Sequence, residues 1–120
     1  IPVLANGDIH TPSLVYLALS TTGADGVLIA RGALGNPWFF SHAREVLAGQ
    51  PTPIVSTEIR CRVIRRHFDL HVAQYGPHGA VTFRKHLTWY FKGLPNAKTL
   101  RGLLATLQTS EDLERLLGNL

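Results

Sequence analysis

The residues best suited to chemistry sit in two turns: Ala5-Asn6-Gly7-Asp8, and Ala30-Arg31-Gly32-Ala33-Leu34-Gly35 followed by Asn36-Pro37-Trp38. In the second, an apolar run over residues 27–30 stops at Arg31, a small-residue turn follows, and a helix opens at Asn36-Pro37. A strand that ends in a tight turn before a helix leaves backbone N–H groups without an internal partner, and the local dipole favours an anion. Gly7 permits a close approach or a backbone conformation that a side chain would block. Arg31 adds a guanidinium that pairs with a phosphate or steers it by charge. Asp8 either holds a hydroxyl or fixes its turn by accepting backbone N–H bonds. Two readings fit the pair of turns: half of a phosphate seat, or ordinary loops of an α/β domain.

A second group is cationic. Arg62, Arg65 and Arg66, with Lys85 and Lys92, carry the charge to contact RNA phosphates, and Trp89 flanks the lysine face where it can stack on a base. The alternative is a solvated basic surface with a tryptophan in the core. His67, His71, His78 and His86 make no metal signature, since His67 and His71 stand at i, i+4 without a third ligand. Cys61 lies between arginines, which favours a thiolate. Its place near Phe68 on the helical wheel makes it instead a small buried residue.

These groups need elements to position them. Residues 1–5 read as a buried strand, because short continuous apolar runs suit parallel sheets. Thr11 caps a helix that Pro12 opens, with Leu14, Leu17 and Ala18 on one side, and Gly23 stops it after about Thr22. A second strand over 27–30 completes a βαβ unit with parallel strands and a right-handed crossover. Asn36-Pro37 caps a helix over 37–48, and the linker Gln50-Pro51-Thr52-Pro53 separates residues 1–50 from 51–120. Helices follow over 57–75, 80–94 and 97–108, and a fourth is capped by Thr109 or Ser110. The first has apolar residues (Ile59, Val63, Ile64, Phe68, Leu70, Tyr75) around more than half its circumference. The second turns Phe83, Leu87, Tyr90, Phe91 and Leu94 inward and Lys85, Thr88 and Lys92 outward. Leu100, Leu103, Leu104 and Leu107, then Leu113, Leu116, Leu117 and Leu120, complete a small four-helix bundle.

Composition narrows the class. No apolar run approaches the about 18 residues of a membrane span. The single cysteine among 120 residues excludes an intrachain disulfide and fits a reducing compartment such as the cytoplasm. Residues 57–104 carry nine basic side chains against two acidic, while residues 1–48 carry two against three. A basic second module beside a neutral first one points to an anionic partner. There is no methionine, and the chain begins inside an apolar run. Two parallel strands do not make a sheet alone. Both features predict a piece of a longer protein, with further strands before Ile1. The order of strand ends fits the last βαβα portion of a TIM (β/α)8 barrel, where loops after the seventh and eighth strands hold phosphate.

At this point the residues match a family pattern. Ile-Pro-Val-Leu-Ala-Asn-Gly-Asp-Ile at 1–9, Thr-Gly-Ala-Asp-Gly at 22–26 and Ala-Arg-Gly-Ala-Leu-Gly-Asn-Pro-Trp at 30–38 resemble the closing barrel segments of the tRNA-dihydrouridine synthases. Tyr75-Gly76-Pro77 and Arg84-Lys85-His86 with Trp89-Tyr90 resemble that family's C-terminal helical domain. The likeness covers essentially the whole chain and is greatest to the bacterial nitrogen-regulation-like type. It implies an FMN enzyme that uses NADPH to reduce uridine to 5,6-dihydrouridine in tRNA, monomeric, with no metal and no membrane association.

The resemblance also implies residue roles. Asn6, Gly7 and Asp8 match positions that hold FMN, and Ala30 and Arg31 match its other phosphate-binding pair. The family usually has Gly-Arg-Gly or Gly-Arg-Ala there, so Ala30 is a departure that keeps the backbone donor but reduces space. Arg62, Arg65, Arg66, Arg84, Lys85, Trp89 and Lys92 are the expected RNA contacts. The family's catalytic cysteine, and a lysine near the flavin ring, belong to earlier barrel loops, so these 120 residues are expected to lack activity alone. Two other classes stay open: another FMN or sugar-phosphate barrel enzyme with a helical extension, and a non-enzymatic RNA-binding module.

Overall fold

The computed structural model describes residues 1–120. They divide into two compact units, Ile1–Ile54 and Val55–Leu120.

In the first unit, β1 (Leu4–Asn6) and β2 (Gly26–Leu28) pair in parallel, with Ala5 opposite Val27 and Asn6 opposite Leu28. The connection is α1 (Pro12–Thr22). The Thr11 hydroxyl accepts the Leu14 N–H, Pro12 opens the first turn, and Gly23 closes the last with a left-handed φ of 66°. Asp25 fastens the start of the sheet. Its carboxylate accepts the Val3 N–H at 2.7 Å, and its own N–H donates to the Val3 carbonyl at 2.9 Å. After β2 the chain makes a 3-10 turn at Arg31–Ala33 and then α2 (Phe39–Leu47), which packs on α1. Ile9, Val15, Phe39 and Ala43 form the core, with Leu14, Ala18, Leu19, Val27 and Ile29 packed against it.

Three expectations for this unit are corrected. Residues 1–5 are not a buried strand: Ile1, Val3 and Leu4 are exposed. Only the side of the sheet carrying Val27 meets the helical core, and the side carrying Leu4 and Leu28 has no cover within these residues. Asn36-Pro37 does not cap α2. The 3-10 turn and a left-handed Gly35 take up that stretch, the Asn36 carbonyl accepts the Phe39 N–H, and the N-cap position falls to Trp38 with no side-chain cap. On α1, Val15 is the fully buried residue and Leu17 is exposed.

The second unit contains α3 (Thr57–Tyr75), α4 (Gly79–Thr82), α5 (Arg84–Tyr90), α6 (Ala97–Leu103) and α7 (Ser110–Leu117). Ser56 caps α3. Thr109 and Asp112 form a capping box on α7. Ile64, Phe83, Leu87, Phe91, Leu100 and Leu107 are fully buried. The helix expected over 80–94 is interrupted at Phe83, and the one over 97–108 passes into a 3-10 turn at Leu104–Thr106. There are thus five α-helical segments where four were expected. On α3 the buried stripe is Cys61, Ile64, Phe68 and His71, whereas Ile59, Leu70 and Tyr75 are exposed. No helix is long and apolar enough to cross a membrane.

Candidate functional site

The parallel register places Asn6 beside Leu28, so the turns that follow β1 and β2 leave the sheet at the same end. They then touch. Gly32 lies so close to Ile9-His10 that a Cβ built on it would overlap the Ile9 carbonyl oxygen and stand 2.9 Å from the His10 Cα. A second link is ionic: Arg31 Nη2 donates to Asp8 Oδ1 at 3.2 Å, with the side chains 82% and 84% exposed.

The backbone around this link is unusual. Gly7 has φ 132° and open space where a Cβ would be. Asp8 is the one non-glycine residue with positive φ, at 46°, and the His10 Nδ1–H donates to its carbonyl at 2.6 Å. The Asp8 carboxylate accepts from Arg31 and from no backbone N–H, so it does not fix the turn in the way expected of it. Ala30 has φ −113°, a sign that any L-residue adopts, so no left-handed backbone demands glycine there.

The N–H groups of Arg31 and Gly32 donate to no acceptor in the chain, and Arg31 Nε and Nη1 are likewise unpartnered. Unsatisfied amides, most of a guanidinium fork and clear space above Gly7 together suit an anion with several oxygens. A terminal phosphate such as that of FMN fits this donor set.

Of the seven residues expected to meet RNA, three have side-chain hydrogen-bond partners within the chain. Arg62 pairs with Glu58 one turn earlier at 3.2 Å. Arg65 makes a bidentate pair with Glu114, Nε to Oε1 at 2.7 Å and Nη2 to Oε2 at 2.8 Å, which ties α3 to α7. Those hydrogen bonds hold the Glu114 carboxyl below the usual range. Arg84 is partly buried and spends Nε and Nη2 on the Leu107 carbonyl, at 3.1 and 2.8 Å. Arg65 and Arg84 have structural duties that sequence spacing does not show.

Arg66, Lys85 and Lys92 are exposed and form no ion pair. Trp89 is 37% exposed and not in the core, and Lys92 Nζ sits 5.5 Å from its ring centroid. No residue from 70 to 110 is acidic, so nothing in α4, α5 or α6 offsets these cations.

One cluster was missed in the sequence. His86 joins His67 and His71, with ring centroids 4.7 and 5.2 Å away, around Phe83. His67 Nδ1 shares a hydrogen bond with the Tyr90 hydroxyl at 3.0 Å, and His71 Nε2 shares one with Thr82 Oγ1 at 2.8 Å. No group of three or more ligating side chains could hold a metal ion. Burial is the main cause lowering all three histidines. It pulls His86 from 6.5 down to about 4, helped by His67, His71 and Lys85.

Unfolded histidine takes up a proton near pH 6.5, whereas folded His86 resists until about 4. The unfolded state therefore binds more protons in that window, and stability falls with falling pH. Melting followed by circular dichroism should show the midpoint of this unit dropping between those values, and His86→Leu should reduce the slope. In contrast to these surface and ring groups, Cys61 is buried in α3, and burial raises its thiol pKa against the opposing pull of Arg65 and Arg60.

The profile of the family described as Dihydrouridine synthase (Dus) matches residues 1–119. A probable tRNA-dihydrouridine synthase of Mycobacterium leprae is 42% identical over 123 residues, covering 100% of this chain and 32% of that protein. One from Mycobacterium tuberculosis is also 42% identical, with 31% of its length covered. The tRNA-dihydrouridine synthase B of Pseudomonas syringae is 39% identical over 92% of this chain and 34% of its own. The chain spans about a third of the length of the curated relatives it matches. It follows from the match over residues 1–119 that the chain belongs to the dihydrouridine synthase family.

Proposed function

We propose that the chain is the C-terminal third of a tRNA-dihydrouridine synthase, a cytoplasmic enzyme that reduces uridine to 5,6-dihydrouridine in tRNA with FMN and NADPH. Residues 1–50 are the closing βαβα portion of its TIM barrel, and residues 51–120 its tRNA-binding domain. The observation that carries this reading is the contact between the two turns, Gly32 against Ile9-His10 and Arg31 on Asp8, in a chain that matches the family over residues 1–119. When bound, the flavin supplies hydride-transfer chemistry that no side chain can supply.

This chain's residues anchor and orient. The Arg31 and Gly32 amides, with the Arg31 fork, hold the phosphate, and Asn6 and Gly7 border it. Lys85 and Lys92 neutralise tRNA phosphates, Arg66 adds charge on α3, and Trp89 offers a ring for a base. The buried Cys61 has no route to a substrate base, so the proton donor comes from elsewhere in the intact protein.

Two measurements on the intact protein test this. Arg31→Ala should release FMN from the purified protein, and retention of flavin at the wild-type level would refute the anchor. Lys85→Glu with Lys92→Glu should weaken tRNA binding at least about tenfold and lower the salt slope by about one per lysine. Unchanged tRNA affinity would favour a barrel enzyme acting on a small molecule.

A further inference from the structure

His67 on α3 and His86 on α5 meet with ring centroids 4.7 Å apart. The Tyr90 hydroxyl takes up His67 Nδ1, which leaves Nε2 free. Neither ring nitrogen of His86 has a hydrogen-bond partner in the chain. No buried side-chain nitrogen lacks a partner, so these three free nitrogens reach solvent. We propose that His86, with His67 beside it, hydrogen-bonds the edge of an unpaired RNA base, on the same face that offers Trp89 for stacking. The proposal rests on the tRNA reading above.

Folding does not account for His86. Its ring is half-buried against Phe83 without one compensating hydrogen bond, an arrangement that costs stability. An apolar side chain would pack there without that cost, and a polar group kept at a cost to the fold marks a binding site. The neighbours suit a flat heteroaromatic ring. At about 100° per residue, His86 falls between Trp89 and Tyr90 on α5. Trp89, and Leu70 one turn beyond His67, are exposed, so an indole face and an apolar side chain flank the free nitrogens. Burial keeps both imidazoles uncharged at neutral pH, and His86 then offers one donor and one acceptor. A base edge carries both kinds of partner, whereas a phosphate only accepts. The exposed Lys85 next in sequence is the group suited to phosphate.

The test uses the intact protein and tRNA binding followed by fluorescence anisotropy. H86F keeps a ring at this position and removes its nitrogens. It should weaken binding about fivefold, the usual worth of one hydrogen bond. The salt slope should stay as in the wild type, because a base contact releases no counterion. A second measurement needs no variant. Diethyl pyrocarbonate acylates accessible, uncharged imidazoles, so it should modify His86 in the free protein. A short single-stranded RNA at saturating concentration should protect His86, and a ribose-phosphate strand of the same length without bases, also saturating, should not.

Unchanged affinity in a folded H86F, a reduced salt slope, no reaction of His86 in the free protein, or equal protection by the strand without bases would overturn the proposal and leave the tRNA reading standing. A reduced slope or equal protection would make His86 a phosphate contact instead. A wild-type protein that binds no tRNA would overturn both.

Discussion

Gly32→Ala should empty the intact protein of flavin and lower its stability by about 1–3 kcal/mol, the usual range for overpacking a tight site. The cause is local. The added methyl would occupy the space of the Ile9 carbonyl and crowd the His10 Cα, and backbone atoms cannot swing aside as a side-chain end does. The two turns would have to part, and with them the Arg31 and Gly32 amides and the Asp8–Arg31 link. Gly102→Ala is the matched control, since a Cβ there meets nothing within 4 Å. Flavin absorbance per protein and thermal melts give both readouts. Full flavin content in Gly32→Ala would mean that the turns tolerate separation, and that the anchor does not depend on their contact.

Phe83→Ala should cost the second unit about 3–5 kcal/mol, the range for removing a buried aromatic ring. Phe83 is completely buried and lies within 5.5 Å, centroid to centroid, of His67, Phe68, His71 and His86. It also stands at the junction of α4 and α5, so its loss loosens the support of the face that carries Lys85 and Trp89. Urea denaturation followed by circular dichroism measures the loss. The removal should also hydrate the three imidazoles and flatten the acid slope of stability, because burial is the main cause of their lowered pKa values. A milder Phe83→Leu keeps the unit folded for that second measurement. An unchanged slope in Phe83→Leu would show that the ring does not shield the histidines.

Much of this was readable wherever local chemistry decides the outcome. Thr11, Pro12 and Gly23 bracket α1, and Ser56 and Gly76 bracket α3, because caps and breakers act within one turn. The inward stripe of α5 also followed from spacing, with Phe83, Leu87, Tyr90 and Phe91 all buried. What escaped depends on contacts far apart in the chain. Arg65 and Glu114 are 49 residues apart, and Arg84 and Leu107 are 23, so no periodicity marks Arg65 and Arg84 as spoken for.

His86 was missed for a related reason. It sits near His67 and His71 only because α5 packs back on α3. In the turn after β2, α2 begins at Phe39, whereas the sequence placed the helix start at Asn36-Pro37. The amides that remain free belong to the 3-10 turn five residues earlier, and a three-residue turn has no sequence period to reveal it.

The buried, protonated state of Cys61 has a practical consequence. Alkylating reagents act on thiolates, so iodoacetamide or a maleimide dye at neutral pH will pass this position by while the protein is folded. In the intact protein, covalent labelling will therefore report on sulfhydryls outside these 120 residues, and a signal from Cys61 itself will mark molecules whose helical unit has opened.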